Sequence, residues 1–221
     1  MLQLADGLFP AGGFAHSFGL ETYVQARVVG DRAGLEAFVR AHLEASAGPA
    51  DAVATACATR IAAGGDLPAL AEVDARLDAM KCVPEFRAAS RQMGRHTARA
   101  AAAFADDPFV SRLASTIAAT ATPGHHAVVF GAVLGRHGVE PRDAAAAFLH
   151  STAALLVNAG LRLLAIGQVE GQRILAALRP RAAVLAGEAA TATVEDMWSF
   201  TPGLEIAGLR HADLDARLFR S

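Results

Sequence analysis

The sequence predicts an all-α protein, folded as a single domain of about ten helices across residues 1–221. Three observations carry that prediction. Hydrophobic residues make up 53% of the chain but aromatics only 6%, an Ala/Leu-rich balance, whereas β-rich chains lean on Val, Ile, Thr and aromatics. Apolar residues recur at helical spacing, as at Leu35, Phe38, Val39 and Leu43. No strand pair, hairpin or repeat of fixed length interrupts the pattern.

The elements follow in order. Leu2 to Glu21 is rich in Gly and Phe and breaks at Phe9-Pro10-Ala11-Gly12-Gly13, which predicts a short helix, a turn, then a helix from about Phe14. Asp31 is the expected N-cap of the helix carrying Leu35 to Leu43, and Gly48-Pro49 is expected to end it. Alanine-rich helices are predicted over 50–63 and 68–80, separated by Gly64-Gly65. Pro84 suits the first position of a long helix reaching about Ala105, because its missing N–H would have no partner there anyway. Further helices are expected over 109–121, 124–137 and 141–166. Gly167 and Gly171 bracket a turn before a helix from about Gln172 toward Gly187. Glu188 to Thr201 has no clear period and reads as a loop, and a last helix is predicted from Leu204 to Leu218.

Charge and cysteine usage exclude whole classes of partner. A net charge of −2 and a pI near 6.4 give no pull toward nucleic acid or an anionic membrane. Cys57 and Cys82 form no CxxC and no disulfide framework, so reduced thiols in a cytoplasmic protein are expected. The N-terminus lacks a basic segment followed by an apolar one, which argues against secretion. Ala144 to Ile166 approaches the ~20 apolar residues that span a bilayer. It contains His150, Asn158 and Arg162, and reads as a buried core helix.

An enzyme needs a recognisable constellation, and none is found. Gly7, Gly12 and Gly13 are followed by no lysine that could reach a phosphate, and HExxH is absent. His125 and His126 are neighbours, but successive helical residues point about 100° apart and cannot easily share one ion. A non-enzyme without catalytic residues, resident metal or cofactor is therefore predicted. One charged pattern stands out: Arg87, Arg91, Arg95 and Arg99 form an i, i+4 stripe opposite Phe86, Met93, Ala100 and Phe104. The stripe is either a solvated face or one whose Arg91 and Arg95 meet carboxylates of another helix or of a partner protein. Gly94 in the same helix costs about 1 kcal/mol against alanine, which implies a close helix crossing there.

The two ends of the chain are unusually apolar. Phe9, Phe14, Phe18 and Tyr23 crowd the first segment, and Leu209, Leu214, Leu218 and Phe219 the last. Such ends must dock on the core or form a surface for a partner. Arg217 and Arg220 flank that surface with the charge typical of binding hot spots.

These segments carry a resemblance to a known family. Leu2-Gln3-Leu4-Ala5-Asp6 and the run from Phe9 to Glu21 resemble the N-terminal signature of the urease accessory protein UreF family. Ser90 to Arg95, Gly167 to Arg173, and Leu204 to Ser221 match further blocks in order and spacing, so the resemblance spans the chain. Departures are Glu170 for a common Asp, Gly208-Leu209 for Ser-Met, Asp215 for a frequent tyrosine and Phe14 for an often-found tyrosine. Glu is the poorer N-cap, so the turn at Glu170 is expected to be built differently. The chain begins almost directly at the motif, so Met1 is either a true start or the edge of a shortened protein.

The resemblance implies an all-helical, homodimeric chaperone without activity of its own. It implies partners UreD (also called UreH), the GTPase UreG and apo-urease, and a role in nickel insertion and lysine carbamylation. In the family the two chain ends become ordered together on binding UreD and help form the surface that recruits UreG. Carried onto this sequence, Phe14 and Arg217 are the expected recruiting residues, with His16, Arg91, Arg95 and Phe219 as further partner-binding candidates. Transient contact of nickel with His16 or His211 is a weaker expectation. Two competing classes are a metal-dependent hydrolase, predicting one tightly bound metal, and a GTPase activator supplying an arginine from Arg91, Arg95 or Arg217.

Overall fold

Caps and prolines set most of the helix starts. Asp31, Asp66 and Asp107 each accept a hydrogen bond from a backbone N–H in the first turn of the helix that follows. Pro84, Pro108, Pro141 and Pro202 each occupy the first helical position. The computed structural model describes residues 1–221. Its α-helices are α1 (Leu2–Ala5), α2 (Leu20–Gln25), α3 (Arg32–His42), α4 (Val53–Gly64), α5 (Leu67–Met80), α6 (Pro84–Phe104), α7 (Pro108–Ala118), α8 (His126–Arg136), α9 (Pro141–Leu163), α10 (Gln168–Thr191) and α11 (Pro202–His211). A π-helical segment covers Leu43–Ala52, and 3₁₀ turns cover Gly13–Ala15 and Val194–Asp196. There are no strands, so the fold is all-α as expected.

Five boundaries differ from expectation. Gly48-Pro49 does not end a helix: the wider π-helical turns absorb the proline, and the helical path continues from α3 into α4. The carbonyls of Ala45 and Pro49 instead accept the N–H groups of Phe200 and Trp198. The helix expected from Phe14 is only a 3₁₀ turn, because Phe18 (φ 49°) and Gly19 (φ 87°) are left-handed and force the chain to turn before α2. The start of α10 lies at Gln168 rather than Gln172, and its end at Thr191 lies inside the stretch read as a loop. Glu170 is therefore not a cap but a first-turn acid, paired with Arg173 and with Arg32 at 3.4 Å. Finally, α11 stops at His211, and the residues expected to extend it fold back over the N-terminal segment.

Glycine fixes the central crossing of α4 on α8. A Cβ at Gly131 or Gly135 would collide with the backbone of Thr55 or Thr59, so the two helices touch main chain to main chain. Thr55 Oγ1 donates to Ala127 O at 3.1 Å and Thr59 Oγ1 to Gly131 O at 3.1 Å, which binds the helices across that seam. The helix crossing expected at Gly94 is instead a close approach of the Gly124–His125 loop to the backbone of α6. The long apolar stretch is α9, long and apolar enough by composition to cross a membrane, with 56% of that window buried inside the protein. It packs against α10, α4, α3 and the π-helical segment.

Candidate functional site

The two chain ends meet over α2. Ser17 N and Phe18 N donate to Ser221 O at 2.6 and 3.0 Å, and the Ser17 hydroxyl donates to the same oxygen at 2.8 Å. Arg220 N donates to Ala15 O at 2.8 Å, and His16 Nδ1 pairs with Ser221 Oγ at 2.9 Å. The left-handed Phe18 turns its N–H toward the tail, a conformation disfavoured for a residue with a Cβ and held here by the contacts around it.

Two carboxylates fasten this junction from below. Glu21, on α2 and only 2% exposed, accepts Leu218 N at 2.7 Å and Phe219 N at 3.1 Å. His211 at the end of α11 lies between it and Glu85 of α6, with Nε2 3.1 Å from Glu21 Oε2 and Nδ1 2.7 Å from Glu85 Oε2. Glu85 also accepts Arg217 Nη1 at 3.1 Å. Gly208 lies against the Phe86 ring, which leaves no room for a Cβ.

The structure sorts the predicted residues into two kinds. Phe14 is 72% exposed, and Arg217 lies at the rim beside Glu85. His16 and Phe219 are buried, at 4% each, so the free surface does not include them; they hold the junction together. Burial, helped by the charge of Arg220, pushes the His16 imidazole down to about 4. Arg91 meets a carboxylate of another helix, as expected: Asp78 of α5 at 2.5 Å. Burial disfavours the Asp78 charge, yet hydrogen bonds from His125 and Arg91 hold its pKa below the usual carboxylate range. Arg95 and Arg99 are exposed and make no ion pair.

Nothing here has the geometry of a metal centre. No three His, Cys, Asp or Glu side chains converge to hold an ion. His125 and His126 diverge: His125 bonds Ser90 at 3.0 Å and Asp78 at 2.8 Å, while His126 packs edge-on against Phe130 and tilted against Phe148. The His211 ring sits between its two carboxylates rather than beside them, so they enclose no cation pocket. What the arrangement can do is present a folded surface built from both ends of the chain.

Sequence reasoning missed the residues that build that surface. Glu21, Glu85 and Ser221 are separated by long stretches of chain and form no short-range pattern. Arg162 was legible only as a lone cation in the most apolar stretch. Its Nη1 donates to Phe14 O at 2.7 Å, and its Cζ stands 4.1 Å from the Phe14 ring centre and 4.3 Å from that of Phe219.

Comparison with known proteins agrees with the resemblance of the blocks. The UreF family model matches residues 29–179. The urease accessory protein UreF of Bacillus sp. (strain TB-90) is 31% identical over 221 residues, covering 100% of this chain and 97% of the relative. That of Trichodesmium erythraeum (strain IMS101) is 33% identical, covering 99% of this chain and 94% of the relative. That of Rhizobium leguminosarum bv. viciae is 37% identical over 214 residues, covering 96% and 91%. With the family model matching more than half of its length, the chain belongs to the urease accessory protein UreF family.

Proposed function

We propose that this protein is a non-enzymatic, cytoplasmic scaffold of urease maturation. It acts as a homodimer, binds UreD (UreH), recruits the GTPase UreG and presents it to apo-urease for GTP-dependent nickel insertion. Family membership supports the role in urease maturation, and one structural observation supports the recruiting surface. The two chain ends are folded together, with Phe14 72% exposed under the Arg162 guanidinium and Arg217 ion-paired to Glu85. A large exposed aromatic fixed in place, next to an arginine, is the composition from which hot spots are made. Two-fold symmetry would present the patch twice. Nickel, in this reading, is cargo of the assembly.

Size-exclusion chromatography with light scattering, on the protein alone and then with UreD and UreG added in turn, tests the proposal. A dimer growing into a stoichiometric ternary assembly is expected. Phe14→Ala or Arg217→Ala should weaken recruitment of UreG and leave the scaffold dimer intact. Undiminished recruitment by both variants would overturn the assignment of the surface.

A second reading, activation of the GTPase by an inserted arginine, is favoured by one observation only. Arg95 is exposed and without an ion pair, whereas Arg91 and Arg217 are tied to Asp78 and Glu85. It predicts faster GTP hydrolysis by UreG at catalytic amounts of scaffold, abolished by Arg95→Ala.

A further inference from the structure

Arg162 is a charge with no carboxylate partner near the end of the long apolar helix α9. Its guanidinium carbon stands over two rings, 4.1 Å from the centre of exposed Phe14 and 4.3 Å from that of buried Phe219. Its Nη1 also grips the carbonyl of Phe14. A guanidinium can do all three at once because it is flat, weakly hydrated and has donors in its plane and attractive faces above and below it. A lysine has the charge without the plane, and a methionine has the bulk without the charge.

From this geometry we infer that Arg162 is the positioning residue of the recruiting surface: it holds the Phe14 ring in place using the docked Phe219 ring as its backing. The orientation of the exposed ring then depends on whether the tail is seated. Without Phe219, the guanidinium loses one of its two ring contacts, and its hold on Phe14 weakens. The inference rests on the reading of Phe14 as a contact for UreG, but the positioning itself can be measured without any partner.

The test uses the full chain with Arg162→Lys, Arg162→Met and Phe219→Leu, each compared with the parent by amide hydrogen exchange and by UreG recruitment in the presence of UreD. For the arginine variants, exchange at residues 13–15 should rise about tenfold while α9 stays protected, as expected for the loss of two stacking contacts and a charged hydrogen bond. Phe219→Leu should loosen the same residues although it keeps the tail apolar. Recruitment should weaken in both Arg162→Lys and Arg162→Met, and a simple space-filling role would instead be rescued by methionine. Unchanged exchange at residues 13–15 in both arginine variants would overturn the inference, whatever happens to recruitment. Raised exchange with normal recruitment in a background where Phe14→Ala also recruits normally would uphold the positioning and reject the reading of Phe14 as a contact. Raised exchange with normal recruitment where Phe14→Ala fails to recruit would overturn the role of Arg162 in presenting the ring.

Discussion

Glu21 and His211 stand 190 residues apart in the chain and 3.1 Å apart in space, both sealed from solvent. The carboxylate of Glu21 thereby serves three donors from the last eleven residues, the His211 ring and the N–H groups of Leu218 and Phe219. Glu21→Ala leaves those donors buried and unanswered, and a loss of about 3 kcal/mol is expected from that desolvation. Denaturant unfolding measures the loss, and limited proteolysis should cut the tail of the variant well before the parent. A tail equally resistant in both would mean that the backbone bonds to Ser221 suffice.

Acid should destabilise the protein through its buried imidazoles. Burial pushes His126 down to about 4, and His42 likewise to about 4. Both line a cavity of about 100 Å³, where His42 Nδ1 has no hydrogen-bond partner although other atoms of that residue reach solvent. Unfolded, each protonates near 6.5, so between 6.5 and 4 the unfolded chain binds more protons. Their contribution is complete above 6.5 and is lost as the pH falls toward 4, to about 3 kcal/mol for His126. Urea midpoints across that window should fall steadily, and His126→Gln should flatten part of the slope.

Gly94→Ala should cost about 3 kcal/mol, because the added Cβ meets the backbone of Gly124 and His125 rather than a side chain that can swing away. Ala88→Gly on the exposed side of the same helix is the comparison, at about 1 kcal/mol. Similar losses for the two would show that the loop can retreat.

Asp78→Asn removes the charge that faces Arg91 and the fully buried His125 together. A loss of about 2 kcal/mol at neutral pH is expected from weakening both contacts. Since its pKa is lowered on folding, Asp78 contributes above its ordinary value of 3.8, and that contribution disappears as the pH falls below it. The stability difference between parent and variant should therefore shrink in strong acid, as followed by calorimetry.

Local signals were readable and long-range ones were not. The Asp31 cap, the Pro84 start and the tight approach at Gly94 could be read because each depends on neighbouring residues or on the absence of a side chain. The passage through Gly48-Pro49 could not, because local propensity predicts a break and only packing of the π-helical segment against α3, α9 and α10 overrides it. Among the site residues, Phe14 stood out by being apolar near an end, and Arg91 by its register in a stripe. Glu21, Glu85, Arg162 and His211 carry no such mark, since what defines each is a partner more than a hundred residues away.

The π-helical segment between α3 and α4 also makes this part of the chain intolerant of length change. Each residue in an α-helix advances the facing direction by about 100°. Deleting one residue between 43 and 52 would turn Thr55 and Thr59 away from Gly131 and Gly135, the one place where α8 can receive them. An insertion would misalign the same seam in the opposite sense. Substitutions in this stretch can be absorbed one side chain at a time, but a codon gained or lost there rotates half the bundle out of register.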